Sequence, residues 1–234
     1  MKLVLILLGL PALLLGYYSA TTYAKFRVSQ ALVKKAVPFE NLSSDQSVSL
    51  LVLGDSTAVG VGASEPEDTV AGRYAESVGA TYVENQAVSG AKTNDLFEQI
   101  SQARLESYDY ILIQIGANDI IRFRSAEEAG GILREVLRKL PPHQNLKLLS
   151  AGNVGATEFF PWFLNPLYTK LNLKYHEVFA SVVAEAGGVY VNLYQPPEDD
   201  PFTQNSDKYL APDGLHLSSD GYALWAEKVI GSDF

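Results

Sequence analysis

The sequence predicts a parallel β-sheet covered by helices on both faces, a three-layer α/β/α domain. Three observations predict it. Short apolar runs bounded by turn residues recur between residues 48 and 193, as expected of strands buried on both faces. The segments between them carry apolar residues at helical spacing. Gly, Ser, Asn and Asp cluster just after several of the runs, where a sheet of this kind builds its sites. Strands that alternate with helices imply a parallel sheet with right-handed crossovers.

Taken in order, the first strand is Val48 to Leu53, ending at Gly54. A helix follows over 67–78, with Val70, Ala71, Tyr74, Ala75 and Val78 on one face. Thr81 to Val88 alternates enough for a second strand. Thr93 to Ala103 places Leu96, Phe97 and Ile100 on one helical face. Tyr110 to Ile115 is the third strand. Ala126 to Leu140 is a helix stopped by Pro141-Pro142, and Leu146 to Ser150 is the fourth strand. Leu167 to Ala186 is a long helix stopped by Gly187-Gly188. Val189 to Leu193 is the fifth strand, residues 194–212 form a Pro- and Asp-rich loop, and Ser218 to Ile230 closes the chain as a helix. No internal repeat is present. Five strands suggest a flavodoxin-like order, 2-1-3-4-5, with ligands beyond the C-terminal strand ends.

The body is preceded by a different physical object. Of 234 residues, 47% are hydrophobic and 19% charged, which excludes a disordered chain. The formal charge of −9 is unevenly spread. Residues 1–44 hold five basic residues and one acid, a net +4; residues 45–234 hold 13 basic and 26 acidic residues, a net −13. An acidic body is repelled by phosphate backbones, so no nucleic-acid partner is expected. Residues 3–24 carry no charge, and Leu3 to Leu15 is almost purely aliphatic. Both a membrane anchor and a cleaved signal peptide fit residues 1–24, with Thr22-Tyr23-Ala24 as a passable cleavage site. An anchor is the preferred reading; it holds the protein at the cell envelope, whereas cleavage releases it for export. Lys25, Arg27, Lys34 and Lys35 make residues 25–46 a basic juxtamembrane segment and tether. Their charge favours a cytoplasmic body, while the signal-like start argues for the opposite side. The domain proper is residues 47–234.

The chemistry sits at four predicted strand ends: Gly54-Asp55-Ser56-Thr57, Ala87-Val88-Ser89-Gly90-Ala91, Gly116-Ala117-Asn118-Asp119, and Pro212-Asp213-Gly214-Leu215-His216. A Ser hydroxyl is a weak nucleophile that needs a base. Of three histidines, His143 lies in the Pro-Pro loop and His176 within the long helix, so His216 is the natural base for Ser56. Asp213 can accept from the other imidazole nitrogen and fix its tautomer. The amides of Ser56 and Gly90 and the side chain of Asn118 can serve as oxyanion donors. Singly, each block has a structural reading: a turn or N-cap at Gly54-Asp55-Ser56, a turn at Asp213-Gly214, turn formers at Gly116, Asn118 and Asp119. Turn chemistry does not explain all four together. The chain has no Cys, which excludes thiolate zinc sites, iron–sulfur clusters and a Cys nucleophile. The acids of the 196–201 loop lack His partners and read as a solvated rim and not as a metal site.

Jointly these blocks resemble the SGNH hydrolases, also called GDSL esterases/lipases, over roughly residues 48–231. The resemblance implies a Ser56–His216–Asp213 triad, an oxyanion hole of Ser56, Gly90 and Asn118, and no cofactor. Thr57 departs from the family's name-giving motif, which has Leu there. The stretch Gly54 to Ala63 is similar to the bacterial lysophospholipase- and arylesterase-like members.

The loop after strand four, Thr157 to Leu164, is unusually aromatic. Phe159, Phe160, Trp162 and Phe163 are therefore candidates for an apolar acyl pocket, with core or lid packing the alternative. The expected substrate is a lipid, lysolipid or short acyl ester. Deacetylation or O-acyl transfer on envelope glycans is the alternative, and an inactive membrane-tethered binding protein is a further one.

Overall fold

In a computed structural model, the backbone is described for residues 2–233 and side chains for residues 16–232. Among the described residues one sheet forms, five parallel strands in the order β2-β1-β3-β4-β5: β1 (Ser49–Gly54), β2 (Tyr82–Asn85), β3 (Tyr108–Gln114), β4 (His143–Leu149) and β5 (Val189–Val191). The expected order and class hold. Strand alternation sorts the side chains onto two faces. Leu50, Val52 and Leu112 join one core cluster with Val70, Ala71 and Tyr74 of α3 (Val70–Val78) and Tyr222, Trp225 and Val229 of α10 (Ser219–Ile230). Leu51, Leu53, Ile111 and Ile113 join the other, with Leu133 and Val136 of α6 (Ala126–Leu137) and Phe179, Val182 and Val183 of α7 (Asn165–Glu185). Strand alternation thus divides the core between the two helix layers.

Several boundaries differ from expectation. The 93–103 helix is a single 3₁₀ turn, Thr93–Asp95, continued by α4 (Leu96–Ser101). His143 opens β4 and does not lie in a loop, because backbone pairing with Tyr108 extends the ladder into an exposed polar stretch. The 194–212 loop contains two one-turn helices, α8 (Pro201–Gln204) and α9 (Ser206–Tyr209).

Helix α1 runs over Lys2–Lys35. Among the described residues no helix is long and apolar enough to cross a membrane. The side chains of residues 1–15, on which the anchor expectation mainly rests, lie outside the described residues. After α1, Asn41 forms an antiparallel bridge with Val83 on the free edge of β2, and Phe39 packs partly against the core. The segment read as a tether is therefore in part seated on the sheet.

Two short helices carry the site. α2 (Ser56–Val59) follows β1 directly, and α5 (Ala117–Ile121) follows β3. The turn into α2 needs Gly54: its φ is +146°, and a Cβ there would lie 2.1 Å from the Gln114 carbonyl oxygen.

Candidate active site

Ser56 is the first residue of α2, with Asp55 as its N-cap. Asp55 accepts from the Thr57 amide at 2.9 Å and its hydroxyl at 2.8 Å. Thr57, the departure from the GDSL pattern, therefore helps hold this turn. Burial pushes the Asp55 carboxyl up to about 6, with the Thr57 hydrogen bonds pulling the other way. It faces Thr57 and makes no contact with Ser56 Oγ that would mark it as a base.

Ser56 Oγ lies 3.0 Å from His216 Nε2, and His216 Nδ1 lies 2.6 Å from Asp213 Oδ2. The second Asp213 oxygen accepts from the amides of Leu215 and His216, each at 3.0 Å. Asp213 is fully buried and His216 nearly so. Burial alone raises the Asp213 carboxyl, but the His216 hydrogen bond and charge, together with the two amides, outweigh it and hold the group below the usual carboxylate range. With its Nδ1 proton donated to this carboxylate, the imidazole presents Nε2 as an acceptor for the Ser56 hydroxyl.

Ser56, Gly90, Asn118 and His216 line one cavity of about 570 Å³. Neither the Gly90 amide nor the Asn118 side-chain amide has a hydrogen-bond partner among the described residues. Gly90 has a φ of +85°, which a side chain would strain, and a Cβ there would meet no protein atom within 4 Å. Asp119, read only as a turn former, is fully buried: it accepts from the amide and hydroxyl of Thr93 and pairs with Arg124 at 2.6 Å.

The four aromatic candidates part company. Phe159 and Phe160 line the cavity. Trp162 and Phe163 are exposed and turn to α1, where Trp162 Nε1 donates to Tyr18 Oη at 2.7 Å and Phe163 meets the Tyr18 ring edge-on. Asp200, expected on a solvated rim, is buried, caps α8 and lines the cavity. His143 bonds the Pro141 carbonyl, and His176 is buried against Asn172 and Tyr190, which removes both from the site. Among the described residues there is no group of three or more His, Cys, Asp or Glu residues arranged to hold a metal ion.

Comparison with known proteins agrees in kind. The GDSL-like Lipase/Acylhydrolase family model matches residues 52–224. GDSL-like esterase Rv1075c of Mycobacterium tuberculosis is 25% identical over 205 residues, covering 83% of this chain; the chain spans 62% of that relative's length. Among solved structures, the lipase/acylhydrolase of Enterococcus faecalis has a TM-score of 0.57 at 21% identity, covering 79% of this chain and 94% of that one. Phospholipase A1 of Streptomyces albidoflavus has a TM-score of 0.60 at 16% identity, covering 79% and 99%. A catalytic mutant of the acetylxylan esterase Axe2 of Geobacillus stearothermophilus has a TM-score of 0.56 at 17% identity, covering 80% and 94%. At such identities the structural likeness speaks for the fold alone. The family match spans most of the sheet and all four blocks, and on it the chain belongs to the GDSL-like lipase/acylhydrolase family.

Proposed function

We propose that the protein hydrolyses carboxylic esters with an apolar acyl group through an acyl-enzyme on Ser56. The observation that carries this reading is the unbroken hydrogen-bonded row Ser56–His216–Asp213 opening on a cavity with two donors free. His216 Nε2 takes the hydroxyl proton as Ser56 Oγ attacks the ester carbonyl, and Asp213 holds the imidazolium. The amides of Ser56 and Gly90 and the Asn118 side chain receive the oxyanion. Collapse of the tetrahedral intermediate expels the alcohol, which leaves with the proton from His216. Water then attacks the acyl-enzyme with His216 again as base, releasing the acid and restoring Ser56. No step calls for a metal or cofactor.

Residues 47–234 are the catalytic domain in this reading. Residues 1–24 attach it to a membrane of the cell envelope, or direct its export when cleaved. The apolar Phe159 and Phe160 in the cavity favour fatty acyl groups over acetyl. The test is hydrolysis of p-nitrophenyl esters by the full-length chain: activity is expected in the wild type and nearly none in Ser56→Ala. A Ser56→Ala protein with native turnover defeats the reading. Release of p-nitrophenol only when a sugar or lipid alcohol is added, with a new ester formed and no free acid, would reassign the reaction to acyl transfer.

A further inference from the structure

The cavity at Ser56 has a wall that none of the four sequence blocks supplies. Phe26, Ser29, Gln30, Val33 and Lys34 of α1 line it, with the Lys34 charge at its far end. Positions 26, 29, 30 and 33 follow the i, i+3, i+4, i+7 rule, so they form one face of the helix. Three contacts seat α1 there. Trp162 Nε1 donates to Tyr18 Oη at 2.7 Å, the Tyr18 and Phe163 rings meet edge-on at 5.7 Å, and the Lys25 ammonium donates to the Glu158 carbonyl. All three reach the aromatic loop that also sends Phe159 and Phe160 into the cavity. Ser29 is buried and Val33 half-buried, while Phe26 keeps part of its ring exposed, so this face of α1 packs at its centre and stays open at its N-terminal end.

Size and lining choose the occupant. At about 570 Å³ the cavity lies within the range of roughly 300–1,000 Å³ that holds drug-sized ligands. An acetyl group would leave most of it unfilled. Each methylene buried against Phe26, Val33, Phe159 and Phe160 strengthens binding about fourfold. The uncharged run of residues 3–24 ends two residues before Phe26 on the same helix. At about 1.5 Å rise per residue, the wall begins within one turn of the segment proposed to attach to the membrane.

We propose that the Phe26–Val33 face of α1 is an acyl-chain wall of the site, so that the substrate is a single-chain ester of a long fatty acid and α1 sets the chain length that fits. This rests on the Ser56 reading above. It makes the N-terminal helix part of the binding site, and removing residues 1–35 removes that wall.

The absence of Cys from the sequence allows a direct test. Val33→Cys is made in the full-length chain, held in lipid nanodiscs, and treated with methyl or dodecyl fluorophosphonate. Ser56 Oγ bonds to phosphorus as the P–F bond breaks, and fluoride and the hydroxyl proton leave. Maleimide labelling of Val33→Cys is expected to be at least tenfold slower in the dodecyl adduct than in the methyl adduct. Val28→Cys, on an exposed site outside the cavity, should label equally in both. Equal labelling of Val33→Cys with Ser56 fully modified overturns the wall and leaves the catalytic reading standing. An absence of any Ser56 adduct overturns both. In a p-nitrophenyl ester series, Val33→Trp is expected to move the preferred acyl chain to shorter lengths, mainly through KM; an unmoved preference counts against the proposal.

Discussion

One oxygen of Asp119 accepts from both the amide of Thr93, at 2.8 Å, and its hydroxyl, at 2.9 Å. Asp119 directly follows Asn118, and Thr93 stands three residues after Gly90. The pair therefore fixes the spacing of two proposed oxyanion donors carried on different loops. Its other oxygen bonds Arg124 at 2.6 Å, so the carboxylate is buried but compensated.

Asp119→Ala strands both Thr93 donors and leaves Arg124 only Asn94 and Glu128, and a loss of about 1–3 kcal/mol is expected. Asp119→Asn keeps an acceptor for Thr93 and separates positioning from folding. We expect it to lower kcat on the order of tenfold with KM near native, because misplaced donors weaken only the transition state. Steady-state kinetics check this. A rise in KM at native kcat would show that Asp119 acts on substrate binding and not on the donors.

Ser56 and His216, 3.0 Å apart, act as one unit in the proposed reaction. Each alanine variant should then lose at least about 10³-fold in kcat, and the double variant should be no worse than the poorer single one. Losses that multiply would mean the two residues act in separate steps, and the acyl-enzyme reading would fall. Asp213→Asn should also lose activity, because an amide can donate to Nδ1 and so present the wrong tautomer.

The sheet and these two residues were legible in the sequence for the same reason. Strands buried on both faces read as apolar runs, and each of the four polar blocks falls just beyond a strand or before the last helix. What was illegible depends on contacts distant in sequence. Nothing local marks the bond from Asp119 to Thr93, 26 residues away, so Asp119 read as a turn former. Nothing local brings α1 to the aromatic loop, 144 residues on, so Phe26 and Val33 read as part of a basic segment. Asp200 looked like a solvated acid because its neighbours Glu198 and Asp199 are; it is buried where it caps α8 beside the cavity. His143 looked like loop because parallel pairing with Tyr108 needs only backbone groups.

Gly54 and Gly79 offer a contrast in what a methyl group costs. Both have positive φ, but a Cβ at Gly54 would lie 2.1 Å from the Gln114 carbonyl oxygen, whereas at Gly79 it would meet nothing within 4 Å. Gly79→Ala should cost about 1 kcal/mol, the conformational term alone. Gly54→Ala should cost at least about 3 kcal/mol and displace Ser56, since the strand end must move. Thermal melts at roughly 2–4 °C per kcal/mol resolve the two. Equal shifts would mean that the contact with Gln114 relaxes freely.

Asp55 gives the fold a pH dependence whose sign follows from its environment. Burial raises its carboxyl to about 6, from an ordinary value near 3.8. The folded state therefore holds a proton between these values that the unfolded chain has released. Stability from this group is fully present below pH 3.8 and is lost as pH rises through about 6. Roughly two pKa units correspond to on the order of 3 kcal/mol. Asp55→Asn removes the charge and can still accept from the Thr57 amide, so the cap survives. The variant is expected to be more stable than the native protein at pH 7, with the gap closing toward pH 4. Denaturant midpoints at the two pH values measure it. A variant less stable than the native protein at pH 7 would show that the Thr57 hydrogen bonds to the charged carboxylate outweigh its burial.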